Sequence, residues 1–218
     1  MSDNGPGPTL RDAEFAMVMP ATWRMLDLRP ATRDGSIQRM VREAFGRADQ
    51  LASLRRSASQ EIGQALTAAT SAGCFFAATY DELVGGKPLS ATALAFLGLS
   101  PLGPDGPTTD IEAMVSMLGG RADGEERSEG PTVATLTLGD AVRTRARVRD
   151  QLAGAGTVST VDVVRYFVPM PTWDRLLVMA FSTPMLYAAD AMAELFDQMA
   201  QSARWRVPTK QAGRDQAE

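Results

Sequence analysis

Residues 143–149 read Arg-Thr-Arg-Ala-Arg-Val-Arg, and they hold the most pointed chemistry in the chain. In an extended segment the period of two puts Arg143, Arg145, Arg147 and Arg149 on one side, with Val142, Thr144, Ala146 and Val148 on the other. A row of guanidiniums can grip carboxylates or phosphates through paired N–H donors. Arg143, Arg145 and Arg147 are therefore the candidate partner- or anion-binding residues. The competing reading is a solvated outer sheet face whose arginines pair with Glu, Asp and Thr of neighbouring strands. Charged strand faces ordinarily do that, which favours the second reading. Asp123, Glu125, Glu126 and Glu129 stand close enough in sequence to serve as those partners.

Other segments offer less. Val84-Gly-Gly-Lys-Pro88 has neither the spacing nor the Ser/Thr of a phosphate loop and suits a hairpin turn. The carboxylates between 105 and 130 lack the alternation of a calcium loop. Cys74 opens an apolar strand and is read as a small buried hydrophobe. The chain contains no histidine to activate it, which also removes the usual general base and the commonest metal ligand. No cofactor and no metal is expected.

The elements that must position the arginines can be read from periodicity. Phe15, Met17 and Met19 alternate as a short strand, and Pro20-Ala-Thr-Trp-Arg follows as a turn anchored by Trp23. Ile37, Met40, Val41, Ala44 and Phe45 form a helical stripe after a cap at Asp34 or Ser36, with Gly46 as its stop. A longer helix follows from about Asp49 to Gly73, so the two predict a helical hairpin. Residues 74–80 and 89–99 are strands about a Gly85-Gly86 turn. Thr109 caps a short helix bearing Ile111, Met114, Val115 and Leu118, and the charged stretch 121–130 reads as an exposed mobile loop. Residues 133–138 and 142–149 form a hairpin about Gly139-Asp140.

The C-terminal unit runs strand, turn, strand, helix. Val161, Val163, Arg165 and Phe167 share one strand face, and Leu177, Met179 and Phe181 share another, with 170–174 as the turn. Ser182-Thr-Pro184 reads as a helix start. The stripe Met185, Ala188, Ala189, Met192, Leu195, Phe196, Met199 and Ala203 then predicts a helix roughly 30 Å long. The fold class expected is α+β: a curved, mostly antiparallel sheet covered by a helical hairpin and a long C-terminal helix. Residues 13–206 are read as a single domain, flanked by disordered segments at 1–12 and 207–218.

Composition limits the function. The net charge of −4 argues against a nucleic-acid partner. No run approaches the length of a membrane span, and residues 1–8 lack the basic start and apolar core of a signal peptide. A cytoplasmic location is expected. Pro20-Ala-Thr-Trp23 resembles the Pro-x-x-Trp opening of the small α/β proteins related to the photosystem extrinsic protein PsbP and a yeast nuclear import factor. Phe181-Ser-Thr-Pro184, Leu195-Phe-Asp197 and Arg204-Trp205 fit the same resemblance. The chain also resembles uncharacterised actinobacterial proteins of this length, many of which belong with secretion or export gene sets. The resemblance implies a non-catalytic binding or accessory protein, associated with bacterial secretion, whose partner is another protein. An enzyme acting on an anionic substrate through an arginine-lined site is the alternative, and a structural subunit of a larger assembly is a third.

Overall fold

A computed structural model describes residues 14–99, 102–103, 106–107, 109–119, 125–151, 158–170 and 175–206. Its centre is a seven-stranded antiparallel sheet. In chain order the strands are β2 (Arg24–Met25), β3 (Cys74–Val84), β4 (Lys87–Leu99), β7 (Glu125–Leu136), β8 (Gly139–Gln151), β9 (Val158–Met170) and β10 (Arg175–Thr183). Across the sheet they lie β2-β3-β4-β10-β9-β8-β7. Two short ribbons stand apart: β1 (Glu14–Ala16) with β11 (Arg204–Arg206), and β5 (Leu102–Gly103) with β6 (Gly106–Pro107). The architecture is α+β with an open curved sheet, as the strand and helix patterns predict.

Alternation along the strands divides the sheet between two helical layers. Phe76, Ala93, Ala95, Val164, Tyr166, Met179 and Phe181 share one face and pack against Met192, Phe196 and Met199 of α4 (Ala189–Gln201). The opposite face meets α1 (Pro30–Phe45) and α2 (Ala52–Ser71) through Ala77, Leu94 and Phe96. Farther along, it meets α3 (Ile111–Leu118), where Met114 packs with Val142 and Leu176. Phe196 is fully buried, with its ring stacked on Phe181 at 5.2 Å between centroids and edge-on to Trp23 at 6.5 Å.

Several local expectations shift. α1 starts at Pro30, not after Asp34 or Ser36, because Asp27 gathers the chain there. Its carboxylate accepts from the Arg29 backbone N–H, the Arg29 side chain and the Thr32 hydroxyl, and Pro30 suits a first helical position. Asp110, not Thr109, caps α3 by accepting from Glu112 N–H at 3.1 Å. The charged stretch is strand from Glu125 onward and not a loop. In place of apolar anchors, which it lacks, ladder bonds to β8 and ion pairs to the arginines hold it.

The C-terminal helix is shorter than its stripe. Strand continues through Thr183, whose hydroxyl donates to Ser90 O and accepts from Met185 N–H. A single tight turn at 186–188 intervenes before α4 begins at Ala189. Its 13 residues span about 20 Å. After Ala203 the chain returns to strand as β11, which the helical stripe conceals. Residues 1–12 and 207–218, and the turn 171–174, lie outside the described residues.

Gly73 shows how tightly the α2–β3 junction is drawn. Its φ of +89° lies in the left-handed region, and an added Cβ would stand 2.9 Å from Leu97 O. Glycine meets both demands at this C′ position.

Candidate functional site

The arginine row lies on the side of the sheet that α4 covers. The register pairs Arg143 with Tyr166, Arg145 with Val164 and Arg147 with Asp162, and these partners share the face of Met179 and Phe181. Arg143 and Arg145 are therefore inward-facing, whereas Arg147 and Arg149, farther along the same side of β8, are exposed. The other side of β8 is covered too, with Val142 buried under α3.

Charge on an inner face needs compensation, and the margin of α4 supplies part of it. Asp190 and Asp197 stand about two turns apart and so project from one flank of the helix. Arg143 donates through Nε to Asp197 Oδ1 at 2.9 Å and through Nη1 to Glu129 Oε2 at 2.6 Å. Arg145 donates to Asp162 at 2.9 Å, to Glu129 at 3.1 Å and to Asp190 at 2.7 Å. Glu129 thus gives one oxygen to each arginine. The Tyr166 hydroxyl donates to Asp197.

Burial ranks these contacts. The Arg145 and Asp162 side chains are 9 % and 1 % exposed, whereas that of Asp190 is 94 % exposed. The Arg145–Asp162 pair is the desolvated one, and the pair with Asp190 adds little through water. Asp162 Oδ1 meets no hydrogen-bond donor among the described residues. Arg147 is exposed and makes no ion pair among the described residues.

The titration behaviour follows. Burial works to push the Arg143 and Arg145 guanidiniums down, but the hydrogen bonds they donate to carboxylates outweigh it and hold both above the ordinary arginine value. Burial pushes the Tyr166 phenol up, and the Asp197 carboxylate adds to that. For Glu129 burial acts upward, yet its bonds from Arg143 and Arg145 prevail and hold it low. A carboxylate lower in the folded than in the unfolded chain stabilises the fold above its unfolded value. That contribution is lost as pH falls through the folded value. Acid unfolding followed by circular dichroism should therefore show a loss that begins below about pH 4.3, the ordinary glutamate value. Glu129→Gln should flatten this part of the curve. A superimposable curve for the variant would count against the assignment.

Chemically, the cluster clamps α4 to β7, β8 and β9. The Cys74 thiol is buried, donates to Phe76 O at 3.2 Å and is pushed up by burial, which suits packing and not nucleophilic attack. No group of His, Cys, Asp and Glu among the described residues is arranged to hold a metal ion.

A different kind of surface lies at the far side of the sheet. β3 and β4 turn through Gly85 and Gly86, at φ of +58° and +78°. Beyond Thr79 the outer side of β3 has no strand partner among the described residues, because β2 pairs only with Ala78 and Thr79. Leu83 is 75 % exposed, Val84 51 % and Tyr187 59 %. The Tyr187 hydroxyl donates to Pro88 O and Lys87 Nζ lies 5.4 Å from its ring centroid. This joins the segment before α4 to the hairpin tip on the β4 side and leaves the β3 side open. Asp81 and Glu82 make that open edge acidic.

No protein-family pattern matches the chain, and no curated protein matches it in sequence. Among solved structures it is similar to LpqN, a protein involved in cell envelope biogenesis of Mycobacterium tuberculosis. The identity is 11 % over 93 % of this chain and 87 % of that one, with a TM-score of 0.43. It is also similar to the Saccharomyces cerevisiae Ran-binding protein Mog1p, at 14 % identity over 60 % of this chain and 78 % of that one, with a TM-score of 0.37. At these TM-scores neither likeness carries an argument about fold or function. No helix among the described residues is long and apolar enough to cross a membrane.

Proposed function

We propose that this is a non-catalytic accessory protein that takes an extended segment of another protein onto the free edge of β3. The observation that carries the reading is the outer edge of Tyr80–Val84, which has no strand partner among the described residues and on which Leu83 and Val84 are exposed. An edge of free N–H and C=O groups offers a ladder to an incoming strand, and adjacent apolar side chains give it grip. Asp81 and Glu82 select a segment bearing Lys or Arg, consistent with the chain's net charge of −4. The absence of any histidine and the burial of the single thiol also suit binding better than catalysis. The setting, on the sequence resemblance alone, is a bacterial secretion apparatus.

A photo-cross-linking residue at Leu83 tests this. We expect a conjugate with a different protein, mapped to a segment bearing Lys or Arg, that disappears on Val84→Asp. Folding should be spared, since exposed substitutions usually cost less than about 0.5 kcal/mol. Conjugates only with a second copy of the chain, or none beyond those from a cross-linker at Gln60, would overturn the reading.

A further inference from the structure

Beside the docking edge, the underside of the helical hairpin borders space that its own side chains do not fill. A chamber of about 390 Å³ lies between α1, α2 and strands β2 to β4. Its walls include Met40, Val41, Phe45, Ile62, Leu66 and Leu94. Val41 and Leu66 are buried in the packed floor, but Met40, Phe45, Ile62 and Leu94 are only half-buried. The cause is local: Ala44, Ala65 and Ala69 line the chamber where larger residues would close the hairpin onto the sheet. The volume lies within the range of small-molecule sites. At roughly 30 Å³ per water-sized group it holds about a dozen heavy atoms. Water would find few partners along such walls, so an apolar occupant is favoured.

One side of the chamber is polar. Arg24, Thr79 and Thr92 are successive register partners across β2, β3 and β4, and all three line it with Asp81. The Thr79 hydroxyl donates to Ala91 O at 3.3 Å, and the Thr92 hydroxyl shares a 2.6 Å hydrogen bond with Ser182. Each hydroxyl oxygen retains acceptor capacity. The Arg24 charge is offset by Glu43 at 3.7 Å and by Asp81 at the same rim. One guanidinium thus faces two carboxylates, so the polar side suits an uncharged hydroxyl better than an anion.

We propose that the chamber between the α1–α2 hairpin and β2–β4 binds a medium-length, unbranched alkyl chain with a hydroxyl head, the chain against the alanine-lined wall and the head at Thr79 and Thr92. Asp81 borders both the chamber and the docking edge, but Leu83 does not line the chamber, so Leu83→Asp leaves it intact.

The test is isothermal titration of the full chain with decanol and with decanoate at several temperatures. Decanol should bind with a negative heat-capacity change, the mark of apolar burial. Decanoate should bind about tenfold more weakly. Ala69→Phe fills the chamber and should lower decanol affinity at least tenfold; Ala65→Met at a more exposed wall position should do the same if Ala69→Phe fails to fold. No decanol binding, or unchanged binding to a variant that unfolds as cooperatively as the parent, would overturn the site. Tighter binding of decanoate would overturn the assignment of the head.

Discussion

Replacing Phe196 by alanine should destabilise the fold by about 3–5 kcal/mol, the usual cost of deleting a buried aromatic ring. Phe196 is 0 % exposed and touches two other rings, those of Phe181 and Trp23. Phe181 belongs to a central strand, whereas Trp23 precedes β2 at the sheet's edge. Loss of the ring therefore opens a void where α4, the sheet and the N-terminal turn meet, and no single side chain can relax into it. Urea unfolding is the measurement. A loss below about 1 kcal/mol would mean that α4 does not dock through this ring.

Arg145→Ala should cost a similar amount, about 3–5 kcal/mol, for a different reason. The substitution leaves Asp162 in a site where its side chain is 1 % exposed, with Oδ1 already lacking a donor among the described residues. The penalty is the uncompensated carboxylate more than the lost attraction. Arg147→Gln is the control: it is exposed and outside the network, so its effect should stay within about 0.5 kcal/mol. Replacing Arg145 and Asp162 together by Met and Leu should recover much of the single-variant loss, since well-packed apolar residues often substitute for a buried pair. If Arg145→Ala were as mild as Arg147→Gln, the pair would not hold the two elements together.

The amino-acid sequence by itself determined the kinds of element and most of their faces. Ile37 and Val41, and likewise Ile62 and Leu66, recur at helical steps, and Leu177, Met179 and Phe181 alternate at strand steps. Gly46, Gly73 and Gly85-Gly86 mark ends and turns that demand positive φ. Those are local properties, and the local physics survives in the fold. Long-range packing decided the rest. A stripe of apolar residues cannot report that Thr183 is tied to Ser90 and Met185, so the helix length was not legible. Nor can alternation along β8 show which side faces a helix. The polar flank of α4 made Arg143 and Arg145 acceptable on an inner face, and the spacing of Asp190 and Asp197 was the one signal of it. The free edge of β3 and the chamber under the hairpin had no signal at all. Both depend on which strands become neighbours and how far two helices stand from a sheet, and neither distance is written in a local period.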